Sequence, residues 1–243
     1  MTTSPQAGAN APMFAQARAL DPQRHAHLRF DRQAGYAFAR GQTAVPLVAT
    51  EFAMAARDLP IVFAGEEQMP MAVLGLRNAQ NLMVDAAGQW RSARYIPAHL
   101  RRYPFILQED PASQRYALCV DEDAEHLRSP AADAQPLFEG GQPSPVVGEM
   151  LQFLGELQAG LAMTRDYVAA LRAENLLIPR QVAVDLQGGE RVTLDGFLVV
   201  DETRFDQLPD ATATAWMRKG WLAMTYFHLQ SRLNWGHLVA LAG

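Results

Sequence analysis

Residues 145–175, PVVGEMLQFLGELQAGLAMTRDYVAALRAEN, and residues 182–200, VAVDLQGGERVTLDGFLVV, decide the fold class. In the first stretch Val147, Met150, Leu151, Leu154, Leu157, Leu161, Val168 and Leu171 recur at three- and four-residue spacing, the mark of one long amphipathic helix. Ser144 stands in the N-cap position, and Pro145 opens the first turn, where a missing N–H costs nothing. In the second stretch the period falls to two. Val182, Val184 and Leu186 alternate with polar residues, Gly188 and Gly189 supply a turn, and Val192 and Leu194 alternate again before the apolar run Phe197 to Val200. A three-stranded unit is therefore predicted directly after the helix. Helix and antiparallel strands segregated along the chain make an α+β protein.

Outward from this centre, Asp210 to Lys219, stopped by Gly220, and Trp221 to Trp235 predict two further helices. In the second of them Leu222, Tyr226, Leu229 and Leu233 share a face. On the other side, residues 124–145 carry Pro130, Pro136, Gly140, Gly141 and Pro143 and predict a surface connection. Ahead of it, Phe105 to Leu107 and Tyr116 to Val120 predict a hairpin around Gln108 to Gln114, and Pro97 to Arg102 one or two helical turns. Ile61 to Phe63, Met71 to Leu74 and Asn81 to Val84 predict meander strands, preceded by a helix from Pro46 to Arg57 and by strands at His25 to Phe30 and Tyr36 to Ala39. The resulting organisation is a flexible tail over 1–22, a mainly antiparallel β-rich lobe with short helices over 23–123, the connection over 124–145, and an α+β lobe over 146–243 packed on the first.

Composition narrows the function classes. A chain of 243 residues, 49% of them apolar, buries roughly three quarters of its unfolded surface and needs no disulfide or metal staple. Its one cysteine, Cys119, forms no internal disulfide, which suits a reducing cytoplasm. Residues 1–20 lack the basic start and apolar run of a secretory signal, and nowhere do about 18 uncharged apolar residues run together. A cytoplasmic protein without a membrane span is expected, with signal-independent export as the alternative. Net charge is −5, and no stripe of basic residues interleaved with aromatics is present, so nucleic acid is not an expected partner. Lys219 is the only lysine, which leaves one position for Schiff-base chemistry.

Several strings occur in a telling order: Val45-Pro46-Leu47-Val48-Ala49-Thr50-Glu51-Phe52, Leu59-Pro60-Ile61-Val62-Phe63, and Tyr95-Ile96-Pro97-Ala98-His99-Leu100-Arg101-Arg102-Tyr103-Pro104-Phe105. Cys119-Val120-Asp121-Glu122-Asp123, Pro136-Leu137-Phe138, Leu194-Asp195-Gly196-Phe197 and Val200-Asp201-Glu202 follow. Together, from about residue 24 to residue 235, they resemble the bacterial SapC-like family. The resemblance implies an accessory role, because family members are often encoded beside TonB-dependent receptors, flavin-dependent halogenase-like proteins and cupin-like oxygenases. Such neighbours suit nutrient uptake or peptide modification. The family's name comes from a protein linked to a paracrystalline surface layer, which makes a surface-layer component a further alternative.

Chemistry-bearing residues are few. His25 and His27, two apart on an expected strand, would present two imidazoles to one side, short of a third ligand such as Glu51 or His99; a polar strand is the plainer reading. The second histidine departs from the family pattern, where an Asp or Asn-like residue is more usual. Asp121, Glu122 and Asp123 offer hard oxygen ligands for a cation, with His25 as a companion, against a solvated strand end. Cys119, beside those acids and without a neighbouring cation, reads as a buried structural thiol. His99, Arg101, Arg102 and Tyr103, between Pro97 and Pro104, suit a binding corner for carboxylates or a partner's backbone, with Glu51 nearby in role; the alternative is a rigid corner that packs Tyr103 and Phe105. Trp216, Trp221, Tyr226, Phe227, His228, Trp235 and His237 make an aromatic C-terminus that reads first as core. No nucleotide, hydrolase or zinc motif appears and no cofactor is expected. The leading reading is a non-catalytic binding or accessory protein with a protein or peptide partner. An enzyme, or a subunit working with a halogenase-like flavoenzyme or cupin-type oxygenase, is the alternative.

Overall fold

The computed structural model describes residues 13–110, 115–128, 131–186 and 189–242; residues 1–12 of the expected tail, the tip of the 108–114 turn, Pro130 and Gly188 lie outside them. The long helix spans Pro145–Ala173. Val147, Met150, Leu154, Val168 and Leu171 of its expected stripe are buried, with Tyr167 added, whereas Leu151 is 44% exposed. Ser144 sits at the N-cap, but its hydroxyl donates to the Pro136 carbonyl at 2.6 Å instead of capping the turn. Midway the helix comes close to the chain below it. A Cβ on Gly160 would lie 3.3 Å from a Val48 methyl, and the Thr164 hydroxyl accepts the Ala49 N–H at 2.8 Å.

Five antiparallel strands form the main sheet, in the order Leu177–Asp185, Arg191–Val200, Ile61–Ala64, Met69–Val73, Ala44–Pro46. The expected three-stranded unit is a two-stranded hairpin, because Gly196, at φ 74°, lets one strand run from Arg191 to Val200 where a break was read. The neighbour of that strand comes from far back in the chain: Leu198 pairs with Phe63. Strands from the 23–123 and the 146–243 stretches thus share one sheet. The hairpin of Phe105–Asp110 and Arg115–Asp121 forms as read, and Ala17–Ala19, expected within the tail, pairs with Cys119 to Asp121 as its third strand.

Local hydrogen bonding by Asp21 and Asn81 explains two of the other departures. Asp21 accepts the Gln23 and Arg24 N–H groups at 2.8 and 2.9 Å, so Pro22–His25 is a helical turn and only Arg29–Phe30 remains strand. Tyr36 to Ala39, read as a strand, holds a 3-10 turn, Ala37–Ala39. Asn81 accepts the Met83 N–H at 2.9 Å and donates to the Ala39 carbonyl at 3.0 Å, which leaves its segment a single isolated bridge, Val84 to Trp90. The helix read over 46–57 shortens to Ala49–Glu51 in 3-10 form and Phe52–Ala55 in α form. At the C-terminus Asp210–Arg218 and Trp221–Ser231 are helices joined through Gly220, and a further helix, Trp235–Ala242, follows. The buried stripe of the middle helix is Trp221, Thr225, His228 and Leu229, while Tyr226 and Leu233 of the expected face are 57% and 79% exposed.

Two apolar clusters result. One lies under the five-stranded sheet and the C-terminal helices; the other gathers Phe30, Tyr103, Phe105, Leu137 and the first turns of the long helix. Among the described residues no helix is long and apolar enough to cross a membrane.

Candidate functional site

Glu51 fixes the segment that follows Tyr95. One of its carboxylate oxygens accepts the Tyr95 hydroxyl and the Ala98 N–H, both at 2.7 Å, and the other accepts the Val48 N–H at 3.0 Å. Asp58 completes the clamp by accepting the Tyr95 N–H at 2.8 Å and Arg94 at 2.9 Å. Burial with three donors makes Glu51 a positioning residue, and the expected helical turn Ala98–Arg101 starts at the amide it holds.

From that turn the side chains leave in two directions. Leu100, Arg101 and Tyr103 line a groove of about 290 Å³, opposite Glu149, Met150 and Phe153 of the long helix. His99 and Arg102 line a second groove of about 320 Å³, opposite Leu154, Leu157 and Leu161 of the same helix. The four residues read as one binding corner are therefore divided between two neighbouring grooves with a common wall.

In the first groove Tyr103 stacks on Phe38, ring centroids 4.0 Å apart, and its hydroxyl donates to Asp121 at 3.4 Å. Arg101 is exposed; its Nε donates to the Ile96 carbonyl at 3.0 Å, and its guanidinium lies 5.1 Å from the Phe153 ring centre and 5.9 Å from that of Tyr95. Arg32, also on this groove, is already paired with Glu149. His126 lines the groove too, packed edge-on against Tyr103 at 5.3 Å, with a buried Nδ1 that meets no hydrogen-bond partner among the described residues. Burial lowers the pKa of its imidazole. Sequence reasoning passed His126 by, since no motif marks it. The hairpin return that ends at Asp121 brings it beside Tyr103.

In the second groove burial, and then the Arg102 charge, push His99 down to about 3, so its ring is neutral at physiological pH. Burial also lowers the pKa of Arg102, whose Nε is buried and has no acceptor among the described residues. The Phe14 ring covers that guanidinium at 5.4 Å.

The SapC family model matches residues 20–238, nearly the whole chain. The chain belongs to the SapC family. Among curated proteins and among solved structures, none matches it.

In this SapC-family chain the acidic run is divided among separate duties. Asp121 is buried, and its carboxylate accepts the Ala15 N–H at 2.8 Å and the Gln16 N–H at 3.1 Å, which docks the N-terminal strand. Glu122 pairs with Arg18 and Arg24 and meets His25 Nε2 at 2.8 Å; Arg24 first, then His25, hold its carboxyl down at about 2. Asp123 turns to Arg128. His25 is itself buried and accepts the Asp21 N–H through Nδ1 at 2.9 Å, whereas His27 is exposed, so the two imidazoles do not share a strand face. Among the described residues no group of three or more His, Cys, Asp or Glu is placed to hold a metal ion. Cys119 is buried with its thiol 3.3 Å from Gln108, and burial raises its pKa. The aromatic C-terminus is largely core, as in the near-perpendicular pair Trp216 and Trp221 at 5.8 Å.

Proposed function

We propose that this SapC-family protein is a cytoplasmic, non-catalytic binding protein that takes an acidic peptide segment of a partner protein in the groove beside Arg101. One observation carries the reading: an exposed guanidinium, 5.9 Å from the Tyr95 ring centre and 5.1 Å from that of Phe153, has no carboxylate partner among the described residues. Arginine and aromatic side chains are the residues that anchor protein interfaces, and a cation held in place by rings loses little freedom when a carboxylate arrives. The reactive side chains elsewhere support the same reading, because His25, Asp121, Glu122 and Asp123 are engaged with backbone amides and arginines. An accessory role beside an uptake receptor or a peptide-modifying enzyme accords with it. The test is capture of partners from the native host by the wild-type protein and by Arg101→Glu. A partner retained equally by both proteins would defeat the proposal, and a loss of tenfold or more on charge reversal is the expected result.

His126 supports a second reading, a subunit that contributes an acid–base group to a partner oxidoreductase. A buried imidazole whose Nδ1 meets no hydrogen-bond partner among the described residues, on a groove that also holds Tyr103 and Arg101, has the make-up of a proton-transfer site. Under this reading His126→Gln abolishes turnover by the reconstituted pair without weakening its assembly; unchanged turnover rules it out.

A further inference from the structure

The second groove differs in character from the first. Val48, Met69 and Met71 from the sheet side and Leu154, Leu157 and Leu161 from the long helix make it mainly apolar. Methionines adapt their shape to an occupant at little cost. Into these walls the chain sets one guanidinium, that of Arg102, and beside it the imidazole of His99. No carboxylate among the described residues lies within ion-pair reach of Arg102, although Glu67 stands exposed at the groove's edge. Its Nε–H is buried and meets no acceptor among the described residues, which leaves the guanidinium without the pairing a buried cation needs. A neutral His99 adds no competing charge and can donate a second hydrogen bond.

Size limits the occupant. At about 320 Å³ the groove lies at the small end of ligand pockets and suits a short chain, not a folded partner. Apolar walls, one unsatisfied cation and this length together describe a small amphiphile with its charge at one end. We propose that this groove binds an unbranched aliphatic monocarboxylate of about eight carbons, its carboxylate on Arg102 and its chain between the methionines and the leucines of the long helix. The proposal does not depend on the partner-binding face, which uses Arg101.

Calorimetric titration of the full chain with octanoate, 1-octanol and octylamine tests it, with Arg102→Met and Leu157→Trp as variants. On the wild type, one octanoate binds per chain, at least tenfold more tightly than octanol, and octylamine does not bind. Arg102→Met erases the preference for octanoate over octanol, Leu157→Trp fills the groove and blocks both, and Arg101→Glu changes neither. Equal affinity for octanoate and octanol on the wild type overturns the proposal whatever the variants do. So does a preference that survives in Arg102→Met, or binding of a hexapeptide with an apolar C-terminal residue where octanoate fails.

Discussion

His228 shows how a polar residue becomes core. Its Nε2 accepts the Val200 N–H at 3.1 Å, its ring packs against Phe63 at 5.1 Å, and it is fully buried. An imidazolium there would lose both its solvent and its bond to Val200, and burial, then the Arg232 charge, push the pKa down to about 3. A depressed folded-state pKa means that the unfolded chain takes up the proton first. Stability is therefore complete above about pH 6.5, the ordinary histidine value, and is lost as the pH falls toward 3. Urea unfolding at pH 7 and pH 4.5 should show the wild type losing about 2.5 kcal/mol more than His228→Gln, at about 1.4 kcal/mol per pH unit below 6.5. Equal losses in the two proteins would show that another group sets the acid limit; His99, also held near 3, is the first alternative.

At the scale of elements, Glu51 joins the 3-10 turn Ala49–Glu51 to the Tyr95–Ala98 segment, and through it sets where both grooves begin. Glu51→Gln puts an amide donor where one of three donors must be received, which should cost about 2 kcal/mol in denaturant unfolding with an unchanged slope. A neutral result would mean that the corner is held by Asp58 alone. The elements legible in the sequence are those whose pattern is long or locally closed: the 29-residue helix, the 105–121 hairpin, the turn at Ala98 and the helix stop at Gly220. Those misread depend on distant partners. The run Val192 to Val200 looks broken at Gly196 until the Ile61–Ala64 strand is laid beside it, and the stripe of the Trp221 helix looks wrong until Thr225 and His228 find Tyr167 and Val200. The candidate site was legible in the same degree: four residues of the corner could be named, but not their division between two grooves, nor His126, because both follow from how the long helix and the hairpin pack.

The molecule as a whole is closed by contacts between its C-terminal helices and residues 56–61. The Asn234 amide donates to the Ala56 and Leu59 carbonyls at 2.7 and 3.2 Å, and the Ser231 hydroxyl accepts the Ile61 N–H at 3.0 Å, so the C-terminal helices lock the strand that centres the sheet. The long helix then lies across both apolar clusters with one run of its side chains facing each groove. On this scaffold the described acids and buried histidines mostly hold the fold together, and the arginines of the Tyr95–Phe105 corner are left to meet something else. Arg101 is the centre of the proposed binding face, and one comparison tests it: affinity capture from the native host by wild type and by Arg101→Glu, with mass spectrometry on both eluates. The prediction is a stoichiometric partner on the wild type that is depleted tenfold or more on the folded variant; the same partner at the same level on both would contradict it.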